Sequence, residues 1–275
     1  MKYVKATLRY FFAHFPKLMA IAIIPAVVVA FFMEPQGFGL VLTVSQLEAV
    51  QSFSDVFFLV FSRNLITRWP YMIFVSLLLI LLCISYTMGV VEKHFRVGKF
   101  SLRRPFSNIN NCFASAFKVF ALLVVIYIVY KFLLVCVLTL LTYVLDNFYV
   151  ADVAIAVVMA IASLAGFLFL LVLVRPIIYA AATMLVYGYY FKDALSAAIK
   201  IAEKDRLELN IALIFPFAVY FTVSSLLVIL NAPWIVLCLV HTLLIAILVQ
   251  YVTVYVLIAM FELSGIERRD VRRYY

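Results

Sequence analysis

The chain predicts an all-α, polytopic membrane protein with six transmembrane helices and cytoplasmic interfacial amphipathic helices. Three observations carry that prediction. Hydrophobic residues make up 68% of the 275 and charged residues only 13%, more apolar surface than a soluble core of this size can hide. The apolar residues gather into six runs long enough to cross a bilayer. The basic residues gather in alternate connecting segments, as membrane topology requires. With seven glycines and eight prolines, no flexible linker divides the chain, which reads as a single integral membrane domain over residues 1–275.

The elements follow in order. MKYVKATLRYFFAHFPKL is basic and aromatic and contains no acid. It leads into a first span over 16–33, with Lys17 at its edge and a kink expected at Pro25. A cleavable signal peptide is the competing reading, weakened because the run ends in FFMEPQG without a small-residue cleavage site. Residues 34–68 hold apolar stretches too short to span, and SQLEAVQSFSDVFFLVFSRNL predicts an amphipathic helix on the outer membrane face. The second span covers 69–91. A basic segment with Lys93, Arg96, Lys99, Arg103, Arg104 and Lys118 precedes the third, over 119–145. The fourth, over 154–174, is closed by Arg175 and Pro176, where an interfacial anchor and a helix break are expected. IIYAAATMLVYGYY then continues the helix or runs along the interface.

FKDALSAAIKIAEKDRLELN, residues 191–210, is the most soluble-looking helix in the chain. Leu195, Ala198, Ile199 and Ala202 make one apolar stripe. Asp193, Ser196, Lys200, Glu203 and Lys204 fall opposite, and Lys204 with Glu208 forms an i,i+4 pair. Such a helix lies in a membrane surface or packs on its neighbours. The fifth span covers 211–230 and contains Pro216; the sixth covers 235–260, and the polar tail ELSGIERRDVRRYY follows.

Of the 22 Lys and Arg, nineteen lie on the side of the N-terminus, the 2–3 and 4–5 connections and the tail. Two lie in the 1–2 connection, and Lys131 lies inside a span. The bias predicts that both termini are cytoplasmic. The net charge of +9 is therefore read as topology rather than nucleic-acid binding. Cys83, Cys112, Cys136 and Cys238 lack metal-ligand spacing and read as buried, reduced small hydrophobes.

Three segments share one plan, a partly basic amphipathic stretch, then a span, then a return span: ATLRYFFAHFPKLMAIAII, FSLRRPFSNINNCFASAFKVFALLVVI and FKDALSAAIKIAEKDRLELNIALIF. Lys17, Lys118 and Arg206 stand at the feet of the rising spans. This is a candidate three-fold repeat of two-helix units, against the plainer reading that any six-span protein with basic loops shows a two-helix period. The passages HFRVGKFSLRRPFSNINNCFASAFKVFALLVVIYIVY and KDALSAAIKIAEKDRLELNIAL resemble the surface elements of the YciC-like six-span bacterial inner-membrane family, and of the membrane domain fused to some glycerophosphodiester phosphodiesterases. The likeness is one of pattern from about Trp69 onward, without a catalytic motif; residues 34–68 have no counterpart in it. It implies a bacterial inner-membrane location and little about activity.

Few residues are candidates for chemistry. Lys131 lies about 12 residues into its span, roughly 18 Å along it, where a charge usually faces protein or water; snorkelling outward is the alternative. His241 and Gln250 lie nine positions apart on the sixth span, on opposite faces of a straight helix. His241 reads as a proton relay or a packing histidine, and Gln250 as a partner for another helix. Arg103, Arg104, Arg175, Lys200, Lys204, Arg268, Arg269, Arg272 and Arg273 are candidates for the interface and anionic lipid. There is no H-E-x-x-H, P-loop or G-x-S-x-G, and the spans hold no Asp. No catalytic residue, metal ligand or cofactor is expected. The expected role is a non-enzymatic membrane protein whose partners are membrane lipids, a second membrane protein or further copies of itself. The alternative is a passive transporter or channel with a site near Lys131 and His241.

Overall fold

The computed structural model describes residues 2–32, 71–148, 152–230 and 232–270. Among these the chain forms helices and no strand: α1 (Lys2–Ala13), α2 (Phe15–Phe32), α3 (Tyr71–Val97), α4 (Pro105–Asn147), α5 (Asp152–Tyr187), α6 (Phe191–Lys204), α7 (Arg206–Ile229) and α8 (Trp234–Leu263). Six of them, all but α1 and α6, are long and apolar enough to cross a membrane, so the architecture is that of a multi-pass membrane protein. The helix expected within 34–68, together with Arg272 and Arg273, lies outside the described residues.

Each span packs on the next in chain order, and α8 closes the ring against α2 while also touching α3 and α5. Every residue of α8 from Thr253 to Phe261 is buried. Lipid offers an intramembrane polar group no partner, so such groups turn to protein. On α8 they turn to four different helices. Cys238 Sγ donates to the Ala30 carbonyl of α2 at 3.6 Å, and Gln250 Nε2 to Thr87 Oγ1 of α3 at 3.0 Å. The Tyr255 hydroxyl donates to the Leu209 carbonyl of α7 at 2.7 Å and shares a short hydrogen bond with Tyr179 of α5.

The three basic segments occupy equivalent places. The amphipathic α1 packs on α8, the start of α4 on α3, and α6 on α5. Each therefore rests on the return span of the preceding helix pair, which gives the three-fold sequence pattern a counterpart in packing. The α3–α4 crossing is close: a Cβ added to Gly89 would meet the Asn108 carbonyl oxygen at 2.8 Å and Cys112 Sγ at 3.2 Å.

Several local expectations need correction. The basic stretch before the third span is not a separate surface helix. With no Gly or Pro between Phe106 and Lys118 to break it, α4 runs unbroken for 43 residues, about 64 Å at the helical rise. The helix break expected after Arg175 and Pro176 does not occur; α5 continues through Pro176 to Tyr187 and stops at Gly188, whose φ is +69°. Within a bundle the carbonyl that loses its proline-side partner is tolerated. The helix expected over 191–210 breaks at Asp205, so Lys204 and Glu208 are not a pair on one helix. Asp205 is held outside helical geometry while its carboxylate accepts a 2.6 Å hydrogen bond from the Tyr3 hydroxyl of α1. The buried face of α6 is Ala194, Ala198, Ile201 and Ala202, whereas Ile199 is 44% exposed. The small alanines let α6 sit close on α5, and that rotates Ile199 outward. Cys136 is exposed on α4, unlike the other three cysteines.

Candidate functional site at the basic end of the bundle

The site is built where α1, the end of α3 and the tail meet. Tyr3, Val4, Thr7, Tyr10 and Phe11 form the buried face of α1, the i, i+4, i+7 spacing of one helical stripe. Lys2, Lys5 and Arg9 are left outside. His14 occupies the single residue between α1 and α2, and its carbonyl accepts the Lys17 and Leu18 amides at 3.1 and 3.0 Å. The tail is aimed by the end of α8. Gly265, at φ +67°, gives its amide to the Glu262 carbonyl, and the Ile266 amide bonds the Phe261 carbonyl. This pair of bonds is a Schellman closure, which needs glycine at the left-handed position. The chain then crosses α3, where the Arg269 amide donates to the Phe95 carbonyl at 2.9 Å.

Between these elements lies a cavity of about 880 Å³. One wall is aromatic and imidazole. The Tyr10 hydroxyl and His94 Nδ1 share a 2.9 Å hydrogen bond, the His14 ring meets the His94 ring edge-on at 4.8 Å, and His14 stacks on Phe100 at 4.7 Å. Burial, and then the nearby Lys17 charge, hold His14 below the usual imidazole range, so it is neutral near pH 7. Burial pushes the Tyr10 phenol far above its ordinary value, which keeps its proton in place.

The charges divide into two groups. Arg268 stacks over Phe95 at 4.2 Å and bonds both oxygens of Asp270, while Glu262 lies 3.7 Å from Arg268 and 3.1 Å from Lys2. Both acids lining the cavity are thus neutralised from within. Arg9, Lys17 and Lys99 line the same space with no acid partner among the described residues, although the Lys17 ammonium lies over the Phe100 ring at 5.1 Å. The cavity therefore presents three uncompensated cations, which favours an anion.

No family model, curated protein or solved structure matches the chain.

The residues singled out from sequence are spread among different roles. Arg268 is in the cavity wall, and Arg269 is exposed beside it, its carbonyl 3.4 Å from where a Gly98 Cβ would lie. Arg103 and Arg104 are exposed on the turn before α4, Arg104 in the left-handed region at φ 60°. Lys200 is exposed on α6, while Lys204 Nζ caps the end of α8 at the Leu263 carbonyl, 3.4 Å away. Arg175 is buried. It donates to the Arg206 carbonyl at 3.0 Å and to Asn210 Oδ1 at 2.7 Å, and so clamps α5 to the start of α7. Lys131 is half-buried on α4 with its ammonium over the Tyr127 ring at 5.6 Å. His241 is buried on α8, donating from Nδ1 to the Leu237 carbonyl at 2.8 Å and set edge-on to Tyr220 of α7. Gln250 turns to α3 instead. Lys131 thus meets Tyr127, His241 meets Tyr220, and Gln250 meets Thr87.

Sequence reasoning missed His14, His94, Arg9 and Lys99. One signal was available: the dipeptide His-Phe occurs at 14–15, where α2 opens, and again at 94–95, where α3 ends, each time followed within five residues by a lysine.

Proposed function

We propose that the protein is a non-enzymatic, multi-pass protein of a bacterial inner membrane, akin to the YciC-like six-span proteins, that holds lipids or membrane partners at its basic end. The charge bias argues that this end, with both chain termini, faces the cytoplasm, where the leaflet is anionic and each nearby Lys or Arg contributes about 1 kcal/mol of attraction. One observation carries the reading. The basic segments are built into the bundle, each resting on a return span, so they present a fixed surface and not loose topological tails. Four carboxylates of this end serve structure: Asp205 accepts from Tyr3, Glu92 pairs with Arg96, and Glu262 and Asp270 pair with Arg268. None of these is poised for turnover.

Native mass spectrometry of the protein extracted with its own lipids tests the proposal. A discrete retained lipid or a stoichiometric partner is expected. A bare monomer or bare homo-oligomer would overturn it, and flux assays on Lys131→Ala and His241→Ala would then take priority.

A further inference from the structure

We infer that the cavity between α1, the end of α3 and the tail is a binding site for one phosphate-bearing anion, the headgroup of an anionic phospholipid. The inference rests on the reading above and narrows it from a basic surface to one site.

Its volume, about 880 Å³, is in the range of small-ligand pockets, whereas a flat charged surface offers no such enclosure. Its charge is asymmetric for a structural reason. Arg268 and Lys2 satisfy Glu262 and Asp270 inside the wall, leaving Arg9, Lys17 and Lys99 to face the space. Three cations converging from three elements, α1, the start of α2 and the turn after α3, match the several oxygens of a phosphate better than a single carboxylate. The wall of Tyr10, His14 and His94 supplies hydroxyl and ring N–H donors. The location favours a lipid over a soluble ester. Lys17 opens α2, an apolar span, and the exposed Phe12 stacks on Phe15 beside it, so an acyl chain would lie along apolar surface while the phosphate sits among the cations.

The test uses the full chain in detergent, titrated with phosphatidylglycerol, phosphatidylcholine or glycerol 1-phosphate and read by native mass spectrometry. One phosphatidylglycerol is expected to bind in preference to phosphatidylcholine. The triple variant Arg9→Gln, Lys17→Gln, Lys99→Gln is expected to lose about tenfold or more in affinity. A control with the same charge change, Lys93→Gln, Lys118→Gln, Lys192→Gln, alters exposed residues outside the cavity and is expected to bind as the parent does. Ala13→Trp fills the cavity without changing charge and is expected to block binding, which guards against reading a misfolded triple variant as a lost site. Competition by glycerol 1-phosphate at equal concentration would overturn the lipid assignment in favour of a soluble phosphate ester. If the control weakens binding as much as the triple variant, the headgroup is held by diffuse charge and the cavity site is wrong, while lipid binding at the basic end stands. If no lipid is retained by any form, both readings fall.

Discussion

α8 and α4 are equally apolar and meet opposite fates. The most apolar windows of the two helices have mean hydropathies of 2.5 and 2.8, yet 44% of the α8 window is buried inside the protein against 11% for α4. α8 touches most of the other helices, whereas α4 packs on α3 and α5 alone among the larger contacts. Apolarity therefore decides only that both leave water. What decides which one enters the bundle is the polar residue that needs a partner. α8 carries Cys238, Gln250 and Tyr255, each bonded to a different neighbour, while on α4 Thr139 and Thr142 bond back to Val135 and Leu138, and Thr142 also reaches Met159 Sδ of α5 alone. A helix whose polar groups are met by its own turns and one neighbour has less reason to be central.

The comparison is tested most severely at the end of α8. Arg268→Ala removes the partner of Asp270, which is 7% exposed, together with the stacking on Phe95. Stranding a buried carboxylate costs on the order of 3 kcal/mol, so the melting temperature in detergent is expected to fall more than for any other change here. Arg268→Lys is expected to recover little, since a lysine cannot bond both oxygens of Asp270 or stack its plane on Phe95. Next comes the close crossing of α4 on α3. Gly89→Val pushes atoms into the Asn108 carbonyl, and overpacking of this kind costs about 1–3 kcal/mol. A loss of α3–α4 packing by cysteine cross-linking should accompany the drop in melting temperature. A neutral outcome would mean that α4 is not positioned by this crossing.

The sequence made the six spans legible because bilayer thickness imposes a length on each apolar run, and length survives any detail of packing. Their ends were less legible. Nothing in Phe191–Asn210 marks the break at Asp205, because the group that holds it, the Tyr3 hydroxyl, comes from the far end of the chain. Arg175 looked interfacial because it ends an apolar run; its partners Arg206 and Asn210 are more than thirty residues away. The candidate site suffered most. Lys131 and His241 stood out by being polar inside apolar runs, which is a property of one position. The cavity exists only because His14, the His94–Lys99 segment and Arg268 converge from three stretches, each ordinary when read alone.

Smaller effects sharpen the account of α8. Tyr255→Phe deletes the donor to Leu209 and one side of the Tyr179 contact, and is expected to cost about 1 kcal/mol, seen as a lower melting temperature with no change in retained lipid. His14 gives a pH effect with a definite sign. Its folded-state pKa lies below the ordinary value, so the unfolded chain takes up a proton first. Stability is full above about pH 6.5 and declines as pH falls below it. His14→Phe keeps the stacking on Phe100 and is expected to flatten that slope between about pH 7 and 5. His94 is present in both proteins, so the difference between the two slopes reads His14 and its contact with His94. A variant slope as steep as the parent's would remove His14 from the account.

The smallest effect is expected on α4. Lys131 stands on a helix that is mostly open to lipid, its ammonium set against Tyr127 one turn earlier. Lys131→Leu trades that cation–π contact for easier residence in lipid, and the two nearly cancel, leaving a change in stability of about 0.5 kcal/mol or less. If the variant melts as early as Gly89→Val, Lys131 supports a protein-facing contact, and α4 is then not the self-sufficient helix that its contrast with α8 makes it.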